Sequence, residues 1–378
     1  MTDQSVPDAP NNAPLFDPLI TAGLKQVGIE KPNEVQNRVW PEVLSGKDVL
    51  LIAQTGSGKT AAYAAPAFQH LLANKKTRQP GAPSVLILAP TRELVTQIAS
   101  VCRQIGRRLA FRTRLLCGGL PKDAQIEALA EGVDIAVATP GRLIDLLMSG
   151  ACRLDATTML IVDEVDQMLD EDFLTAMDEI IPHLPNQRQA MLCSATLPPE
   201  GRALASRLLY KPVTLEFASQ TVTPRRIKQR AMFVEAEEKL ATLTRLCTET
   251  EGRQIIFLRT KASVDQIGKT LRKSGLSIAV LHGDLAQGAR QKAVDSLRSG
   301  RAQILLTTDV AARGLDIDDV ALVVNYDLPE KAETYVHRIG RTARAGKKGA
   351  ALAFCTRDER VLLRAIEKEI GYRISIVS

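Results

Sequence analysis

The feature that most constrains this chain is a series of short, continuous apolar runs, each followed by a turn and a helix-like stretch. In the first half they are DVLLIA, SVLILA, RLLC, DIAVA, MLIV and AMLCS; in the second, QIIFL, SIAVL, QILLT, ALVVN and GAALAF. A strand with water on one face alternates apolar and polar residues, whereas one covered on both faces need not. Runs of this length alternating with helices predict parallel strands buried on both sides. Right-handed crossovers then give an α/β architecture of two mostly parallel sheets flanked by helices.

A length of 378 residues is too long for one ordinary core and fits two domains. The alternation breaks near EFASQTVTPRRIKQR. The expected organisation is a disordered lead over 1–14, a first domain over 15–217, a linker over 218–225 and a second domain over 226–378. The lead lacks the basic and apolar regions of a signal peptide, and no apolar run is long enough to span a bilayer. Six scattered cysteines without a CxxC pair read as reduced core thiols, which suits a cytoplasmic protein. The net charge of +6 permits a polyanion partner without requiring one. The basic runs RRIKQR and RTARAGKK, taken alone, read as solvated faces.

Polar clusters follow the strands: QTGSGKT, PTREL, CGG, TPGR, DEVD and SAT, then HGD, TTDVAARGLD and NYDLP. Ligands of open parallel sheets bind outside the carboxyl ends of the strands, so these clusters mark the functional edge. AQTGSGKT fits G-x-x-x-x-G-K-[ST] except that Ala53 takes the first glycine position. Thr55, Gly56, Ser57 and Gly58 would wrap backbone amides around phosphate, Lys59 would reach the β- and γ-phosphates, and Thr60 would bind Mg²⁺.

Three carboxylates within Asp163-Glu164-Val165-Asp166 should repel one another unless a cation sits among them. The stretch could be a solvated acidic turn, a protease-recognition tetrapeptide or a metal site. Its place behind a buried strand, in a chain with a phosphate loop, favours the metal site. Asp163 would hold Mg²⁺, through water, and Glu164 would polarise the attacking water.

Taken in order, the phosphate loop, DEVD, SAT and HRIGRTAR resemble the DEAD-box family of ATP-dependent RNA helicases in superfamily 2, from about Phe16 to the C-terminus. The resemblance implies two tandem RecA-like domains, ATP and Mg²⁺ as cofactors, and RNA as partner. It implies adenine recognition by Gln36, with Phe16 at the upstream aromatic position and Ile29 where an aromatic is usual. Pro90, Thr91, Arg92, Gly118, Gly119, Thr139, Pro140, Gly141 and Arg142 would contact the RNA backbone in the first domain. Gln287, Arg290 and Thr308 would do so in the second, with Arg259 a less distinctive match.

The same resemblance places Asp316 at the nucleotide ribose and makes Arg341 and Arg344 arginine fingers for the γ-phosphate. Asp166, Ser194, Thr196, Asp309, Arg313 and His337 would couple the domains, and the ATPase site would be complete only when they close. Val165 stands where the signature has alanine. The implied function is RNA-stimulated ATP hydrolysis coupled to local duplex unwinding or ribonucleoprotein remodelling, by a monomeric core. The alternatives are a nucleotide-gated RNA clamp and a DNA-directed superfamily 2 translocase. The motifs touch backbone rather than bases, so they do not select an RNA sequence.

Overall fold

The computed structural model describes residues 15–54, 56–74, 77–169, 171–217, 227–312, 320–342 and 349–377. The chain divides into two compact units, Met1–Phe217 and Ala218–Ser378.

The first unit is built on strands β1 (Val49–Ile52), β2 (Val85–Leu88), β3 (Thr113–Leu116), β4 (Ile135–Ala138), β5 (Met159–Val162), β6 (Gln189–Ser194) and β7 (Val213–Glu216). They form one parallel sheet in the order β3-β4-β2-β5-β6-β1-β7. The second unit contains β8 (Ile227–Phe233), β9 (Arg253–Phe257), β10 (Ile278–Leu281), β11 (Ile304–Thr307), β12 (Val320–Asn325), β13 (Gly349–Cys355) and β14 (Ser375–Val377). Its order, β10-β11-β9-β12-β13-β8-β14, repeats that of the first sheet strand for strand. All its pairings are parallel as well.

Burial follows from this arrangement. The central strands β2, β4 and β5 are buried along their whole length. In the first unit, one apolar layer gathers Val49, Leu51, Ile87 and Ile161 with the helix Lys59–Ala73; the other gathers Leu86, Leu88, Leu160 and Val162 with Leu143 and Phe173. Successive residues of one strand therefore feed opposite layers, as a pleated strand covered on both faces requires. All six cysteines are free and buried.

Three strands lack the continuous apolar signature. β7 and β14 each have a single sheet neighbour, and β8 alternates buried Ile227, Gln229 and Ala231 with exposed Lys228 and Arg230. The basic run RRIKQR thus continues, from Ile227, into a half-covered strand.

Candidate functional site

The strand order sets two clusters side by side at the carboxyl edge of the first sheet. β1, β6 and β5 are consecutive neighbours, so the residues at and beyond their carboxyl ends, 53–54 and 56–58, 194–196 and 163–166, share one rim. Across β2, the triplet β3-β4-β2 brings together the loops after residues 116, 138 and 88.

At the first rim, Gly56 and Gly58 hold φ of 81° and 84°, backbone that L side chains adopt only at a cost of about 1–2 kcal/mol. Gly58 precedes the helix Lys59–Ala73, on whose first turn Lys59 and Thr60 sit. Lys59 is buried, and its Nζ donates to Ala53 O at 2.6 Å. That carbonyl belongs to the alanine in the first glycine position, so the ammonium folds back across the loop. Ser57 Oγ is buried with no hydrogen-bond partner among the described residues. Thr55 lies outside the described residues.

Asp163 is the buried carboxylate of this rim. Its Oδ2 accepts from Tyr63 Oη at 2.9 Å and its Oδ1 from Glu164 N at 2.9 Å. Burial pushes the Asp163 carboxyl up from its ordinary value, against the opposing pull of Lys59, the Tyr63 hydroxyl and the Glu164 N–H; Asp166 adds to the rise. The Tyr63 hydroxyl is driven well above its usual range by burial first and then by the Asp163 charge, so it stays a donor. Tyr63 lies outside the motifs of the sequence. Its one signal is its position four residues after Lys59, one helical turn along the same face.

Glu164 is buried in the left-handed region at φ 54°, a conformation that a side-chain-bearing residue keeps only where its surroundings over-determine it. Val165 is wholly buried and belongs to the apolar layer containing Leu88, Val162 and Leu192. Asp166 Oδ2 accepts from Ala195 N, Thr196 N and Thr196 Oγ1 at 3.1–3.3 Å, and Asp166 N donates to Ser194 Oγ. Ser194 Oγ in turn donates to Thr196 O. Three residues expected to couple domains are therefore bonded to one another inside the first unit.

Gln36 is engaged inside the chain. It is buried, its Oε1 accepts from Asn33 N at 3.0 Å, and its N–H donates to Asn33 Oδ1 at 2.9 Å, a reciprocal capping box. Its Nε2 donates to Gly58 O at 3.4 Å, while Asn33 Nδ2 donates to Ser57 O at 2.9 Å. Both ends of the Gln36 amide are engaged within the chain and tie the helix Glu34–Leu44 to the phosphate loop. The N-x-x-Q spacing carried that signal in the sequence. Phe16 is a core residue: it is 5% exposed and its ring forms a T-shaped pair with Trp40 at 4.8 Å. Ile29 is half-buried against the same core.

At the second rim, Thr91 caps the helix Arg92–Ile105 through Oγ1, accepting from Leu94 N at 3.2 Å, and Pro90 precedes it. Thr139 and Pro140 open the helix Pro140–Met148, on which Gly141 and Arg142 follow. The Arg92 guanidinium lies over Gly118 and Gly119. A Cβ at Gly118 would fall 2.9 Å from Arg92 Nη2, and one at Gly119, with φ 76°, would fall 2.2 Å from Nη1. Arg142 Nη1 donates to Leu120 O at 3.2 Å. Burial pushes the Cys117 thiol up, opposed by the charges of Arg92 and Arg142, so both guanidiniums act on this loop.

In the second unit, Asp309 receives a two-pronged bond from Arg338, whose Nη1 also donates to Asn325 Oδ1 at 2.9 Å and Asp327 O at 2.6 Å. Arg338 lies inside HRIGR but was not singled out. Arg341 is buried just past the helix Ala332–Ile339, which carries a half-buried His337. Thr308 is buried after β11, and Arg290 is half-buried on the helix Gln287–Arg298. Arg259, half exposed, approaches Glu359 Oε1 at 3.4 Å. Arg313, Asp316, Arg344 and the Gln287 side chain lie outside the described residues.

A phosphate-loop rim beside a guanidinium rim on one RecA-like parallel sheet, followed by a second sheet of the same strand order, defines a tandem RecA-like class of protein. Residues 33–204 match the DEAD/DEAH box helicase family model, and residues 238–346 match the helicase conserved C-terminal domain. The chain is 40% identical over 344 residues to DEAD-box ATP-dependent RNA helicase 20 of Arabidopsis thaliana, covering 90% of this chain and 69% of that protein. It is 41% identical to DEAD-box ATP-dependent RNA helicase 30 of the same plant, covering 93% of this chain and 60% of the relative. Against S. cerevisiae Dbp5 bound to RNA and ADP BeF3, the TM-score is 0.85 at 32% identity, covering 96% of this chain and 94% of the other. The chain belongs to the DEAD-box helicase family. It spans 44% to 69% of the length of these and similar curated relatives. No helix among the described residues is long and apolar enough to cross a membrane.

Proposed function

We propose that this chain is an RNA-stimulated ATPase that couples ATP hydrolysis to local opening of short RNA duplexes or to remodelling of ribonucleoproteins. The observation that carries this reading is the paired rim of the first sheet. Lys59, Asp163 and Glu164 share the rim where a nucleotide phosphate would lie, and Arg92, Gly118-Gly119 and Arg142 share the adjoining rim, which begins at β2 beside β5.

Lys59 would exchange the Ala53 carbonyl for phosphate oxygens, and the buried Ser57 hydroxyl would gain an acceptor. Glu164, held by its strained backbone, would orient and polarise the attacking water. Arg341 and Arg344 would stabilise charge on the transferring phosphoryl group. Adenine recognition by Gln36 would require its amide to leave the Gly58 carbonyl, which would make base binding and phosphate-loop geometry interdependent. At the second rim, guanidiniums and helix N-termini suit phosphate contact without base readout.

The donor set fits Mg²⁺. Among the described residues no three His, Cys, Asp or Glu side chains gather to hold a metal alone, and Mg²⁺ binds through one or two carboxylates, its own waters and phosphate oxygens. Asp163, through water, and Thr60 would hold it, and when bound it would neutralise charge on the β- and γ-phosphates. The reading extends to Val165 as a tolerated variant of the signature, to a monomeric core and to a cytoplasmic site of action, which the six free thiols suit.

The test is ATP hydrolysis without nucleic acid, with single-stranded RNA and with DNA of the same sequence, using Glu164→Gln as control. Stimulation by RNA alone, abolished by the substitution, supports the reading. Equal stimulation by DNA would favour a DNA-directed translocase. Long-lived RNA binding with a non-hydrolysable ATP analogue, without duplex opening, would favour a clamp.

A further inference from the structure

We infer that Gln125 is a positioning residue for RNA engagement: its buried side-chain amide locks the 117–121 loop into a seat for Arg92. The inference rests on the RNA-dependent ATPase reading above, and it concerns a residue outside every motif read from the sequence.

The loop joins β3 to the helix Lys122–Ala130 and carries Gly118 and Gly119. Gln125 lies on that helix, 6% exposed. Its Oε1 accepts from Cys117 N at 3.1 Å, and its Nε2 faces Cys117 O at 3.1 Å, Pro121 O at 3.2 Å and Leu120 O at 3.4 Å. One amide thus grips both ends of a tight loop that has no strand partner of its own. The Leu120 carbonyl is also the acceptor for Arg142 Nη1, so the two neighbouring groups share an anchor.

The glycines explain what the loop is shaped for. Side chains at 118 or 119 would occupy the space that the Arg92 guanidinium fills. The loop must therefore hold its backbone close beneath Arg92, and Gln125 holds the backbone there. A flexible arginine that must be ordered on binding loses rotamer freedom at that moment, and a pre-seated one loses less. Gln125 acts through Arg92 and not by touching nucleotide or RNA.

The experiment compares wild type, Gln125→Leu, Arg92→Gln and the double variant in the 378-residue chain. ATPase is measured against single-stranded RNA concentration at several salt concentrations, with thermal stability recorded alongside. Gln125→Leu is expected to raise the half-stimulating RNA concentration about tenfold, equivalent to about 1.4 kcal/mol, while the rate at saturating RNA and the KM for ATP stay near wild type. The slope of log affinity against log salt should fall by about 0.7, the signature of one lost phosphate contact to a single strand. The double variant should be no worse than Arg92→Gln alone, because the two residues act as one unit. Should Gln125→Leu not fold, Gln125→Glu keeps the acceptor for Cys117 N–H, loses the donor to the carbonyls, and is read the same way. An unchanged salt slope and half-stimulating concentration, or additive losses in the double variant, overturns the inference. A wild-type ATPase indifferent to RNA overturns instead the reading on which it rests.

Discussion

Replacing Gly58 with alanine tests whether the Asn33–Gln36 cap and the phosphate loop form one mechanical unit before any nucleotide arrives. The position has φ 84°, and a Cβ there would stand 2.7 Å from both Asn33 Nδ2 and Gln36 Nε2. The left-handed backbone costs alanine about 1–2 kcal/mol relative to glycine. Displacing the two amides removes the bonds to Ser57 O and Gly58 O, each worth about 0.5–1.5 kcal/mol, the longer one at the low end. The first unit should therefore lose roughly 2–4 kcal/mol. Urea unfolding followed by tryptophan fluorescence reads this selectively. Trp40 is the sole tryptophan and is buried in the first unit, with Nε1 donating to Ala61 O near the start of the phosphate-loop helix. Asn33→Ala alone should cost about 1 kcal/mol as a lost cap. In its background Gly58→Ala should cost at least about 0.5 kcal/mol less, because one overlapping group is gone. A loss below about 0.5 kcal/mol for Gly58→Ala, or strict additivity of the pair, would refute the reasoning.

Three further outcomes are expected. Tyr63→Phe removes the donor to Asp163 Oδ2 and should destabilise the nucleotide-free first unit by about 1.5–3 kcal/mol on the same fluorescence readout; no change would mean the hydroxyl does not hold the carboxylate. Val165→Ala empties two carbons from a fully buried position and should cost about 1–3 kcal/mol while RNA-stimulated hydrolysis persists; loss of hydrolysis would show that the valine does more than fill space. For Glu359, burial raises the carboxyl, but the Thr356 N–H, Lys239 and the Leu328 N–H outweigh it and hold it below its ordinary range. A depressed carboxylate contributes stability that is present above its unfolded value, about 4.3, and lost as pH falls through the folded one. The penalty of Glu359→Gln should thus be full at pH 7 and shrink below about pH 4. Calorimetry of the full chain at the two pH values checks this, and a pH-independent penalty would contradict it.

How far the fold could be read from the sequence follows from which faces of a strand are covered. Buried strands such as MLIV and AMLC announce themselves because their apolar side chains are buried in the two core layers. β7, β8 and β14 carry lysine, arginine, glutamate or serine on a half-covered surface, so the same criterion passes over them. The phosphate loop and DEVD were legible because their chemistry requires particular residues at particular spacings. Tyr63 and Gln125 were not, because a tyrosine on a helix and a glutamine after a loop acquire their roles only from neighbours brought by the sheet order. Phe16 and Gln36 carry a second layer that residue type alone does not announce: the ring packs against Trp40, and the amide bonds to Asn33 and Gly58.

The shared strand order also has a consequence for biogenesis. β1, the strand that launches the phosphate loop, is hydrogen-bonded only to β6 and β7, about 140 residues or more downstream. In the second unit β8 likewise awaits β13 and β14. On a ribosome, β1 leaves the exit tunnel ahead of the other strands of its sheet and waits for the last two of them, β6 and β7, as its neighbours. Until β6 and β7 arrive, the phosphate loop hangs from a strand that lacks both of its sheet neighbours. The exposed LLIA segment must meanwhile be kept from other chains, and the wait lengthens with every residue inserted between β1 and β6.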